Sequence, residues 1–206
     1  MRPFCEVCCP SLDAVVKAVA AGADRIELCE RLEVGGVTPS EQLIKDALLI
    51  SGAVPMNVLI RPREGNFVYN EEETSQMLES IACCKRQGVN GVVIGALRSD
   101  GSVDMGLMRR LVAASRPMNI TFHRAFDECN DVFASLEDII SLGIERLLTS
   151  GHSATAWDGR FTLRELAVRA AGRIVIMPGC GINPANLAEI ASITGANEFH
   201  GSRILG

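Results

Sequence analysis

The sequence predicts an α/β chain folded as a (β/α)8 barrel, and three observations carry that prediction. Eight short β-rich runs recur along the 206 residues, most are followed by a helix-start signal, and a Gly usually stands where a helix should stop. Polar residues also alternate with apolar ones inside the runs. A strand of an open, doubly wound sheet is covered on both faces and should be almost wholly apolar, whereas a barrel can hold inward polar residues near its mouth. The barrel is therefore preferred over the open sheet.

Taken in order, FCEVC from Phe4 is the first strand, with Ser11 as the cap of the helix that follows. RIELC from Arg25 leads to Thr38-Pro39, where Glu41 completes a capping box, and MNVLIR from Met56 leads to a second box made by Asn70 and Glu73. GVVIG from Gly91 precedes Asp104, MNITFH from Met118 precedes Asn130, RLLT from Arg146 precedes Asp158, and IVIM from Ile174 precedes Asn183-Pro184. EFH from Glu198 is the eighth strand. Gly22, Gly88, Gly143, Gly172 and Gly195 mark helix ends. Gly206 stands six residues after His200, so the eighth helix is expected to be missing or truncated. A second subunit or a rearranged terminus should then cover the seam between strands eight and one, which predicts a homo-oligomer.

With 48% hydrophobic residues and one Trp, residues 1–206 suit a single domain with a sizeable core. The net charge is −5 and the 20 Lys and Arg are scattered, which argues against nucleic acid and anionic membranes as partners. The most aliphatic run, Ala14 to Ala23, is short and contains Lys17, so no signal or spanning segment is read and a cytoplasmic location is expected. There the eight cysteines should be reduced thiols.

Cys5 and Cys8 form a C-x-x-C, but three residues apart on a strand their side chains leave opposite faces and cannot hold one ion together. The repeat Glu-x-Cys is more informative. It occurs as Glu6-Val7-Cys8 and Glu27-Leu28-Cys29 at the C-terminal ends of neighbouring strands, with Glu6, Cys8, Glu27 and Cys29 expected to face the barrel axis and Val7 and Leu28 the helices. Cys83 and Cys84 sit in an amphipathic helix and read as packing; Cys129 is placed at a helix start in a structural role; Cys9 and Cys180 are expected to add thiols to the mouth.

The strings EVC, GADRIELCERLEVGGVTPS, VLIRPREGNFVY, TFHRAFD, LTSG, MPGCGI and EFHGS, running in order from Cys5 to Ser202, resemble the CutC family of copper homeostasis proteins. The resemblance implies a TIM barrel, a cytoplasmic homo-oligomer and binding of Cu(I), with Cys8 and Cys29 as the metal ligands. A soft ion suits two thiolates on adjacent strands, roughly 5 Å apart at the backbone, unless barrel stagger offsets their heights.

A second constellation supports an alternative, acid–base catalysis on a small phosphorylated or carboxylated molecule. Glu6, Glu27, Arg61, His123 and His200 alternate with apolar residues on different strands and should converge at one opening, where desolvation perturbs their protonation. Arg61, Arg63 and Arg124 follow strand ends and suit a carboxylate or phosphate, with Asp127 placed to orient Arg124 or His123. The loop Pro178-Gly179-Cys180-Gly181-Ile182 and the segment His200-Gly201-Ser202 occupy the two positions that offer backbone N–H groups to phosphate in many barrels, with Gly179, Gly181 and Ser202 as the candidates. Arg63 to Tyr69 reads as a flap.

Overall fold

The structure, a computed structural model, describes residues 2–206. Eight strands, β1 (Phe4–Cys9), β2 (Arg25–Leu28), β3 (Met56–Leu59), β4 (Gly91–Ile94), β5 (Asn119–Phe122), β6 (Arg146–Thr149), β7 (Val175–Pro178) and β8 (Glu198–Gly201), each begin within one residue of the predicted start. They form one parallel sheet in the order β7-β6-β5-β4-β3-β2-β1-β8. β7 and β8 lie side by side, and among the described residues no backbone ladder joins them. The barrel is closed except at that seam.

Seven α-helices alternate with the strands among the described residues: α1 (Leu12–Ala20), α2 (Glu41–Ser51), α3 (Glu71–Gln87), α4 (Met105–Ser115), α5 (Val132–Ser141), α6 (Arg160–Ala170) and α7 (Leu187–Thr194). After β8 the chain turns and buries Ile204 against the core. Period two sorts β1 as expected: Cys5 and Val7 face outward and pack with Val15 and Ala18 of α1, whereas Cys8 belongs to a small inner cluster with Cys29, Leu59 and Val93. Cys9 also faces outward into the helix layer, fully buried, so it does not reach the mouth as the sequence suggested. Cys83 and Cys84 are buried packing residues. Cys129 is not at a helix start. It closes a 3-10 turn, Arg124–Glu128, and burial pushes its thiol up to about 11, in keeping with a packing role.

The helix starts show where local signals compete. Ser11, Asp104 and the Asn70–Glu73 capping box cap as predicted. α2 is capped by Ser40 rather than Thr38, because the Thr38 hydroxyl instead accepts the Arg61 N–H at 2.8 Å. α5 is capped by Asp131, since the Asn130 amide donates to the Asp100 carbonyl at 2.9 Å. Asp158 accepts the Thr155 hydroxyl and leaves Gly159 at the cap of α6, while Asn183 closes a turn on Ala185 and α7 begins three residues later, after Asn186. The box on α3 gives a direct test: Asn70→Ala should lower stability by about 1 kcal/mol in urea unfolding, with no change at the barrel mouth.

Candidate functional site

The inward face of the strands stacks polar residues in levels. At the lowest, Arg25 donates through Nε to Glu6 and through Nη2 to Glu198 Oε2 at 2.7 Å, and Arg146 reaches the same Glu198 oxygen at 2.8 Å. Asn57 Nδ2 donates to Glu6 Oε2 at 3.3 Å, and His200 Nδ1 lies 2.8 Å from Glu6 Oε1. Glu6 is fully buried. Burial alone would raise its pKa, but the bond to His200 and the Arg25 charge outweigh it and hold the carboxyl at about 2. Glu6 is thus an ionised anchor beneath the mouth and does not line it.

One level up stand Cys8, Glu27 and His200. Register decides how they meet: Cys8 is opposite Glu27 on β2, and Cys29 follows diagonally above. The offset does not separate the thiols, for the two Sγ atoms are 3.6 Å apart and unbridged, and Cys8 Sγ is also 3.8 Å from Glu27 Oε1. The Cys29 contact, burial and the Glu27 charge all raise the Cys8 thiol well above its ordinary range. Glu27 is pushed up to about 7, first by burial, with Glu6 adding and His200 opposing. His200 is raised despite burial by Glu27 and Glu6. Donor atoms of Cys8, Glu27 and His200 all lie within 4.8 Å of one another, and Glu27 Oε2 has no hydrogen-bond partner.

Above this level a cavity of about 890 Å³ opens at the C-terminal end of the strands. Of the candidate metal, catalytic and ligand-binding residues, all but Glu6, Arg63 and Gly179 line it. Gly179 instead provides room: a Cβ there would come 2.5 Å from Leu148 Cδ1 and 3.6 Å from His200 Cβ. Gly95 does the same for His123, whose ring a Cβ would approach to 2.6 Å. His123 Nδ1 accepts the Ala125 N–H at 3.1 Å, so the ring proton sits on Nε2, which is buried and unpartnered. Burial first, and the Arg61 charge second, lower His123 to about 3 and keep it neutral.

The arginines are more committed than the sequence suggested. Arg61 donates to the carbonyls of Val34, Gly36 and Gly65 at 3.1, 2.9 and 2.8 Å, and so ties the β2–α2 loop to the β3–α3 loop. Arg63 lies outside the cavity, paired with Glu73 and wrapped by the carbonyls of Glu64, Asn66 and Val68. Neither arginine presents a free fork to an anion. Asp127 orients Arg124, at 2.8 Å, and shows no bond to His123; its oxygens also accept from Thr149, Ser150 and the His152 N–H. The expected flap brings Phe67 over the mouth, 4.9 Å from the His123 ring and beneath the Arg61 guanidinium. Cys180, in the loop after β7, does add a thiol to the cavity.

Sequence reasoning missed Arg25, Arg146, Glu198 and Asn57. The signal was available, because stepping back two residues from Glu27 or His200, or four from Arg61, lands on Arg25, Glu198 or Asn57 on the same face of the strand.

Fold and site together define a (β/α)8 barrel whose C-terminal mouth carries a close thiol pair beside a buried carboxylate–histidine cluster. The family model described as the CutC family matches residues 4–205. A protein CutC of Parabacteroides distasonis is 48% identical over 202 residues, spanning 98% of this chain and 83% of that protein, and one from Xylella fastidiosa is 47% identical, spanning 96% and 73%. The crystal structure of the proposed copper homeostasis protein CutC from Streptococcus agalactiae superposes with a TM-score of 0.94 at 33% identity, covering 98% of this chain and 99% of that one. The chain belongs to the CutC family. The aldolase QR15, at 17% identity and a TM-score of 0.74 over the whole of this chain and 90% of its own, shares the fold alone.

Proposed function

We propose that the chain serves copper homeostasis by holding Cu(I) between Cys8 and Cys29. The observation that carries this reading is the 3.6 Å approach of two free sulfurs from adjacent strands at the floor of the cavity. Both can reach one ion at metal–thiolate distances near 2.3 Å. Leu32, Leu59 and Val93 surround the pair, and such apolar packing favours a soft ion with few ligands over a hydrated one. The raised Cys8 thiol means that the ion must displace protons to bind, so affinity should fall as pH falls. The membership just established and the copper role given for the Streptococcus agalactiae relative support the same reading.

A second donor set shares Cys8. Glu27 and His200 complete it, and it would suit a harder ion. An anaerobic Cu(I) competition titration against a chromophoric chelator separates the two. Native chain should bind near one equivalent, Cys8→Ser and Cys29→Ser should each weaken binding by about 100-fold or more, an effect of the size seen when a metal ligand shell is disturbed, and His200→Gln should leave it nearly unchanged. Affinity that survives Cys29→Ser but not His200→Gln would overturn the thiol-pair assignment.

A further inference from the structure

A two-coordinate ion uses only the floor of the mouth, and the volume above it, about 890 Å³, is in the range of small-molecule sites. The groups around that volume are also unfinished. Seven buried side-chain polar atoms in the described structure lack a hydrogen-bond partner, and four of them, on Glu27, Arg61, His123 and His152, belong to residues lining this cavity. Buried polar groups are nearly always paired, so a concentration of unpaired ones around a single space points to a ligand that pairs them. His123 is the clearest case: it is 4% exposed, its Nδ1 is satisfied by the Ala125 amide, and its Nε2–H is left for an oxygen acceptor.

The rim across the β7–β8 seam supplies donors of a different kind. The N–H groups of Cys180, Gly181, Ile182, Ser202 and Arg203 make no hydrogen bond among the described residues. The loops that carry them are in contact, since a Cβ on Gly201 would meet the Ile182 carbonyl at 3.1 Å. Arg203 lines the cavity without an ion pair among the described residues, whereas the nearby acid Asp127 is saturated by Arg124, Thr149, Ser150 and His152. Glu128 is the remaining exposed acid on the lining, apart from the buried Glu27. A guanidinium beside unpaired N–H groups on two touching loops suits the several oxygens and the charge of a phosphate better than a neutral group.

We propose that this cavity binds a small phosphate monoester, its phosphate on the paired loops after β7 and β8 and a carbonyl or hydroxyl oxygen on His123 Nε2. The site is separate from the copper reading, since it draws on the rim and on His123 and not on the two sulfurs.

Calorimetric titration of the full, copper-free chain with dihydroxyacetone phosphate, sn-glycerol 3-phosphate, inorganic phosphate and glycerate tests it. Saturable binding of at least one ester with a Kd of about 1 mM or tighter is expected, weakened about tenfold in Arg203→Ala, a surface change that should leave folding intact. His123→Gln should weaken the ester and leave inorganic phosphate unchanged. Inorganic phosphate binding as tightly as both esters would assign the site to the free ion and overturn the ester. Equal binding of glycerate would overturn the phosphate, and no saturation by any of the four, or affinity unchanged in Arg203→Ala, would overturn the site itself.

Discussion

Arg25→Met is expected to destabilise the barrel by about 3–5 kcal/mol at neutral pH, the cost of leaving one partner of a buried ion pair uncompensated. Glu6 is fully buried and held ionised at about 2 largely by His200 and Arg25, so removal of the guanidinium strands its charge. Glu198 loses one of two arginines and keeps Arg146 at 2.8 Å, which makes Glu6 the main source of the loss. The double variant Glu6→Gln, Arg25→Met removes the stranded charge and should recover more than half of the deficit, because a neutral isostere in the same place needs no counter-ion. Urea unfolding of the two singles and the double completes the cycle. A loss below about 1 kcal/mol in Arg25→Met would mean that His200 and Asn57 suffice to hold Glu6, and that the arginine is a bystander.

His123 should make stability depend on pH with a recognisable slope. Its folded pKa of about 3 lies below the ordinary value of 6.5, so as pH falls through 6.5 the unfolded chain takes up a proton that the native ring refuses. The contribution is complete above pH 6.5 and is lost on acidification at about 1.4 kcal/mol per pH unit until about pH 3. Between pH 7 and pH 5 the native chain should therefore lose about 2 kcal/mol more than His123→Gln. Comparing the change with pH in the two proteins, instead of their absolute stabilities, removes the packing lost with the imidazole against Phe67. A difference under about 0.5 kcal/mol would show that the ring protonates in place.

The strands were legible because the period-two pattern of each run is local: FCEVC and RIELC sort their inward and outward residues without reference to neighbours, and the structure keeps that sorting. The barrel followed from the repeat of strand, cap and glycine. The thiol pair was half legible. Which face Cys8 and Cys29 occupy is a local property, but their 3.6 Å separation depends on the offset that sets Cys8 opposite Glu27, and register between strands is not written within either strand. The arginines were illegible for a related reason. Arg61 and Arg63 follow a strand end, which is where an anion anchor stands, yet their donors are taken by carbonyls of loops whose course only the folded chain reveals. Thr38 lost its capping role to the same loop: its hydroxyl accepts the Arg61 N–H and leaves Ser40 to start α2.

The pairing of Gly95 with His123 also bears on how such a mouth could be assembled by mutation. Any side chain at position 95 would place its Cβ about 2.6 Å from the imidazole, inside the distance real Cβ atoms keep, so the ring fits only into a barrel that already has glycine there. The reverse order carries no such clash, since a glycine at 95 facing a smaller residue at 123 leaves only a gap. The two positions therefore have a one-way dependence: the vacancy comes first, the histidine second, and once the histidine is present the glycine cannot be exchanged without moving it. At Gly91 the demand is broader, since a Cβ there would strike the Asn57 amide oxygen and also come 2.9 Å from the Asn119 carbonyl, so the backbone of β5 requires that glycine as well. His123 is thus accommodated by a side chain missing beside it, and a mutational path that installs or removes this histidine has to pass through Gly95 in a fixed order.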